Sequence, residues 1–332
     1  MSKISQFNWK IIFLITAITI FIFIFNIAQL PQFLLLDEQN YSKNFFDKFN
    51  DIQVILEDDV MISMRVSKFF LENGYTGFNL NDVSQPSTSY IFPIILSPLF
   101  AIFPDNIALL IVVLIGVVFF LMSVYLIVHN LSFINASVLT VILFFNDTTL
   151  NYLFSGWELN WQPFFILISW FYGWKIAEEN DFNKINYSII GISSAISILI
   201  RPDSIILIFP LLLWILLNKS KNKFWSIISF ILLGIIFATI QYKWFGNFTP
   251  TTARLKAGDM PDLNYSFKYY INICILGGGA ALLIPALAFS KIKKLKLKNN
   301  IYTFAFSAIF LHYIYCFLVS DVLKLVECIC HH

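Results

Sequence analysis

The sequence predicts an all-α, polytopic membrane helix bundle of about nine spans, with an external first loop carrying interfacial helices. Residues 11–30 contain no charged side chain and are long enough to cross the roughly 30 Å hydrocarbon core of a bilayer as a helix. Similar runs recur at 107–128, 134–151, 161–177, 186–200, 202–217, 223–242, 270–290 and 301–319. Of the 332 residues, 58% are hydrophobic and 13% are charged, against about 25% charged in a soluble domain.

Composition also limits function. A net charge of +2 gives no bulk electrostatic case for nucleic acid. Cys274 and Cys316 lie in apolar runs and Cys328 and Cys330 at the C-terminus, so no disulfide framework is implied. The tail Cys328-Ile329-Cys330-His331-His332 has metal-like residues but no second ligand cluster to close a site, so no metal centre is expected. The run at 11–30 follows Lys3 and Lys10 and exceeds a usual signal-peptide core; it reads as a retained signal-anchor helix.

Lysine and arginine in short loops set orientation. Residues 291–298 hold five lysines in eight positions and should be cytoplasmic. Counting back from there, the loops with Lys219, Lys221 and Lys223, and with Lys175 and Lys184, are inside. The segments 243–268, Arg201-Pro202-Asp203 and 146–160 are outside. Residues 90–103 decide the rest. This stretch is about fourteen residues long, carries Pro93 and Pro98, and suits a re-entrant or interfacial helix better than a span. The N-terminus is then inside, and the polar segments all face one external side, where they can line a single cleft.

The residues that carry chemistry sit in those segments. Glu57, Asp58 and Asp59 are adjacent acids beside the membrane; mutual repulsion raises the pKa of one or calls for a cationic partner. Such a carboxylate can take a proton from an attacking hydroxyl, while Asp58 or Asp59 also suits an N-cap for a helix over 60–72. That helix is amphipathic, with Ile62, Val66, Phe69 and Phe70 opposite Arg65, Lys68 and Glu72, and ends at Asn73-Gly74. The uncharged loop Ser84-Gln85-Pro86-Ser87-Thr88-Ser89 suits sugar hydroxyls as well as any exposed turn. Glu158 stands between Trp157 and Trp161 at a helix mouth, where rings and an acid can hold a sugar or the tryptophans simply anchor the interface. Arg201 either grips phosphate or pairs locally with Asp203. Arg254 and Lys256 follow a hydroxyl-rich turn and either grip phosphate or form a solvated basic loop. No Asp, Glu, Lys or Arg lies mid-span in any run, with His312 the one titratable exception, which argues against an ion-coupled transporter.

Taken in order, these patches resemble the bacterial GT-C glycosyltransferases, especially arabinofuranosyltransferase B and RgtA-like enzymes. The resemblance lies in Asp58-Asp59 with Ser63 and Arg65, Gly74 to Asn79, Ser87-Thr88-Ser89, Gly156-Trp157-Glu158, Arg201-Pro202-Asp203, and Phe245-Gly246 through Pro250 and Thr252 to Lys256. It implies one GT-C-like transmembrane domain over 1–332, with 36–106 as an external loop holding juxtamembrane helices. It also implies transfer of a sugar from a polyprenyl-phosphate donor to an extracytoplasmic glycan or lipid acceptor, at the plasma membrane and without a cofactor. Asp58 would be the base and Asp59 its partner or the second candidate. Arg201, Arg254 and Lys256 would hold the donor phosphate, and Glu158 and Trp157 the sugar. Family members continue past a Gly-Gly-Asp element into further spans, whereas Val319-Ser320-Asp321 is followed by eleven residues, so the chain reads as C-terminally truncated. The other readings are a non-catalytic lipid or polysaccharide exporter and an inactive remnant of the transferase. An exporter should place polar residues at mid-membrane depth; here they gather at one face.

Overall fold

The computed structural model describes residues 15, 58–77, 87, 89, 91–129, 132–144, 158–179, 182–245 and 301–319. Every regular element among them is helical, and none is a strand. In chain order the helices are α1 (Asp58–Asn73), α2 (Phe92–Ile102), α3 (Asp105–Val128) and α4 (Phe133–Phe144). A 3-10 turn (Glu158–Asn160) then leads into α5 (Gln162–Glu179) and α6 (Lys184–Ile200). A second 3-10 turn (Pro202–Ser204) precedes α7 (Ile205–Leu217), α8 (Lys223–Phe245) and α9 (Ile301–Val319). Two stretches are long and apolar enough to cross a membrane by length and composition, Ile107–Val128 and Lys223–Ile240. The runs expected at 11–30, apart from Ile15, and at 270–290 lie outside the described residues.

Local chemistry explains the boundaries. Asn183 caps α6, its side chain accepting the Ile185 amide at 3.1 Å. Pro202 disfavours a helical conformation for the residue before it. Arg201 is accordingly extended (φ −146°, ψ 120°), and the single run expected at 202–217 becomes a 3-10 turn followed by α7. Gly74 closes α1 with φ 75°, its amide reaching the Phe70 carbonyl at 2.8 Å. At 11 residues, α2 is about 16 Å long, too short to span alone and in keeping with the interfacial reading of 90–103.

α1 begins at Asp58, so both aspartates occupy its first turn instead of capping a helix from 60. Its buried stripe is Ser63, Met64, Val66, Ser67 and Phe69, and it packs on α2. Expected face residues Ile62 and Phe70 are only half-buried. The reason is size: Ser63 and Ser67 are small, and Ser67 Oγ donates to the Ser63 carbonyl at 2.7 Å, which satisfies its hydroxyl within the helix and lets the helices approach. Lys68 forms an ion pair with Asp105, tying α1 to the start of α3.

α5 is the hub, in contact with α3, α6, α7 and α9. Its Trp170 and Trp174 lie in a core with Ile127 and Val128 of α3, Tyr187 and Ile190 of α6, Leu211 of α7 and Ala305 of α9. Trp170 Nε1 donates to the Leu207 carbonyl at 3.1 Å, locking α5 to α7. α6 lies between α5 and α8. On one side Ser169 Oγ and Ser193 Oγ are 2.7 Å apart. On the other, Gly191 meets the backbone of Ser226. Small residues and hydroxyls at helix seams are the usual packing chemistry where the surroundings are apolar.

The helix ends sort into two groups. Asn222, just before α8, donates to the Phe182 carbonyl, just before α6, at 2.6 Å. Lys184 lies 5.5 Å from the Trp225 ring, and Tyr302 at the start of α9 donates to Glu178 at the end of α5 at 2.9 Å. The start of α5 and the end of α6 meet at the opposite end. The outer face of α8 exposes Phe224, Ile228, Ile231, Leu232 and Ile235.

Candidate functional site

The site is built where α5 begins and α6 ends. Glu158 to Asn160 make a 3-10 turn, closed by the Trp161 amide on the Glu158 carbonyl at 3.0 Å. Gln162 then starts α5. At the other strand of the site, Arg201 leaves α6 because Pro202 follows it, and Asp203 and Ser204 turn back within the 3-10 turn.

Gln162 joins the two halves. Its Nε2 donates to Asp203 Oδ1 at 3.1 Å and to Ser204 Oγ at 2.8 Å. Ser204 Oγ in turn donates to the Ser197 carbonyl, 2.9 Å away at the end of α6. Arg201 reaches the same carboxylate from the other side, Nε to Oδ1 at 3.4 Å and Nη2 to Oδ2 at 3.3 Å. Of the two roles open to Arg201, the local pair with Asp203 is therefore formed. His312 of α9 lies within electrostatic range of Asp203.

A second apolar cluster adjoins this network in sequence, at Trp161 beside Gln162 and at Ile200 beside Arg201. Ile91, Phe92, Leu96, Val112, Trp161 and Ile200 form a cluster separate from the main core. Four of its members lie next to polar patches in sequence: Ile91 and Phe92 shortly after Ser89, Trp161 after Asn160, and Ile200 before Arg201. The Trp161 ring is met edge-on by Phe92 at 5.2 Å and by Phe119 at 5.0 Å. Ser87 and Ser89 are buried, and Ser89 Oγ accepts the Phe92 amide at 3.0 Å at the entry to α2. Gly116 of α3 abuts Asn160 and Trp161, where even an added Cβ would be in contact at 3.4 Å. Hydrophobic burial thus draws together patches that are far apart in sequence, and hydrogen bonds fix their register.

Of the sequence-predicted residues, Arg201 is joined through Asp203 to Gln162, and Glu158 opens the 3-10 turn that leads to Gln162. Glu158 is only 1% exposed. Trp157, Arg254 and Lys256 lie outside the described residues, as does the cysteine tail; for Asp58 and Asp59 the described part is their backbone in α1. Sequence reasoning passed over Gln162 and Ser204. Their signal was a lone amide opening an apolar run and a hydroxyl directly after Arg-Pro-Asp. Among the described residues no group of three or more His, Cys, Asp or Glu could hold a metal ion. Comparison with protein-family models, curated proteins and solved structures yields no match.

Proposed function

We propose that the protein is an integral-membrane glycosyltransferase of the GT-C type, a bundle of about nine spans, that moves a sugar from a polyprenyl-phosphate donor to an extracytoplasmic glycan or lipid acceptor. The observation that carries this reading is the convergence of the Ser87–Ser89, Glu158–Gln162 and Arg201–Ser204 patches at one apolar cluster. A buried acid, amides, hydroxyls and a part-exposed guanidinium in one place suit a phosphorylated sugar. The bundle's polarity also supports it. The loops bearing Lys184 and Lys221 meet at the end opposite this site, as the positive-inside rule requires of a site on the outer face.

In this reading the carboxylate of Asp58 accepts the proton of the acceptor hydroxyl. The freed oxygen pair forms the new bond to the anomeric carbon from the face opposite the phosphate. The bond from that carbon to phosphate oxygen breaks with its electrons, and polyprenyl phosphate leaves. Asp59 is the neighbouring acid or second candidate. Arg201, with Arg254 and Lys256, holds the phosphate and stabilises its growing charge. Glu158 and Trp157 position the sugar.

The test is complementation of a deletion strain, scored by the sugar composition of its envelope. Wild-type protein should restore the missing sugar, and Asp58→Asn should not, at equal abundance in the membrane fraction. An unchanged glycan profile on deletion, or full restoration by Asp58→Asn, contradicts the proposed function or the proposed base respectively.

A further inference from the structure

The Arg201–Asp203 fork is loosely made. Its contacts are 3.3 and 3.4 Å, where a tight charge-assisted bond measures about 2.7–2.9 Å. Both side chains are 21% exposed, so a solute can reach them. Asp203 has a second donor that is held far more firmly. Gln162 is 9% exposed and bound to both Asp203 and Ser204, which is itself tied to the Ser197 carbonyl. The carboxylate therefore has one fixed neutral donor from the buried floor and one cationic donor on a long, part-exposed arm.

We infer that this cluster works by exchange: an entering phosphate takes the guanidinium of Arg201 from Asp203, while Gln162 keeps the carboxylate in place. The inference rests on the reading that Arg201 meets the donor phosphate, and it names what governs that contact. Asp203 is a built-in competitor for Arg201. Removing its charge takes that competitor away. Removing the Gln162 donor leaves the carboxylate more dependent on Arg201, so drawing Arg201 away strands a part-buried charge and costs more. Gln162 is thus a positioning residue for an anion it need not touch.

The two substitutions should act in opposite directions, which a purely structural role does not produce. The experiment uses the full chain purified in detergent, with geranyl phosphate as probe and inorganic phosphate and geraniol as comparators. Asp203→Asn should bind geranyl phosphate about tenfold tighter, and Gln162→Leu about tenfold weaker. Arg201→Ala should lose binding, and geraniol should not distinguish the variants. Inorganic phosphate following the same order supports exchange with a free anion. The order appearing with geranyl phosphate alone supports exchange with a prenyl-linked headgroup. Unchanged or weaker binding by Asp203→Asn overturns the exchange, and does so even where Gln162→Leu fails to give a monodisperse protein. Tighter or unchanged binding by a folded Gln162→Leu also overturns it. Wild-type binding by Arg201→Ala removes Arg201 from phosphate recognition altogether, which is failure of the underlying reading and not of the exchange alone.

Discussion

The seam between α6 and α8 predicts a steep cost for one methyl group. A Cβ at Gly191 would stand 2.2 Å from the Ser226 carbonyl oxygen, 2.9 Å from its carbon and 3.0 Å from Ser229 Cβ. A carbon normally approaches a carbonyl oxygen no closer than about 3.3 Å, so the helices must part by about 1 Å. The obstacle is backbone, which cannot rotate aside. Overpacking of this kind costs about 1–3 kcal/mol, and a backbone clash belongs at the upper end. Replacing glycine within a helix returns roughly 0.8–1 kcal/mol of propensity. The net expectation for Gly191→Ala is a loss of about 2 kcal/mol. Two other glycines calibrate it. At Gly173 the nearest atom is Leu211 Cδ1 at 2.8 Å, the end of a side chain that can turn away. At Gly234 nothing lies within 4 Å. Thermal unfolding in one detergent should therefore rank Gly191→Ala well below wild type, Gly173→Ala near it and Gly234→Ala slightly above. Equal stability for Gly191→Ala and Gly234→Ala would refute the close approach of α6 and α8.

Other consequences can be measured on the same protein. Trp161→Ala removes the ring that Phe92 and Phe119 both meet; we expect a loss of about 3–5 kcal/mol and, in complementation, failure to restore the envelope sugar. Trp161→Phe should retain most of the stability, and equal loss for both would show that the ring contacts are not what matters. Ser169→Ala removes the hydroxyl shared with Ser193 and Ser194; the expected cost is about 0.6 kcal/mol, read by the same melt, and a change several times larger would contradict an ordinary seam. Lys68→Met breaks a part-exposed pair with Asp105 and should cost under about 1 kcal/mol, with the difference from wild type shrinking in high salt; a salt-independent loss would mean that packing of the lysine stem dominates.

Much of the helical order was legible because its causes are local. The uncharged runs at 107–128 and 223–242 reappear as α3 and α8, and the break at Arg201 follows from the proline after it. The short helix at 92–102 was legible from its length and prolines. What escaped the sequence depends on partners distant in the chain. Gln162 looks like any polar residue at a helix start until α6 delivers Asp203 and Ser204, 41 and 42 positions later. The buried face of α1 was legible at Val66 and Phe69, but hydrophobicity also pointed to Ile62 and Phe70, while close packing on α2 selected Ser63 and Ser67. Whether Arg201 would pair with Asp203 or stay open was equally undecidable from composition, since both outcomes use the same residues.

In the proposed topology the Arg201–Asp203 cluster and α1 share the non-cytoplasmic face, with the lysine-bearing loops opposite. Cysteine accessibility tests it most directly. With the four native cysteines replaced, single cysteines are placed at the exposed positions Glu72 and Lys221 and at the part-exposed position Asp203, and intact cells are treated with a membrane-impermeant maleimide. Labelling is expected at positions 72 and 203 in intact cells, and at position 221 only after permeabilisation. Labelling of position 221 in intact cells, with positions 72 and 203 protected until the membrane is opened, would contradict it.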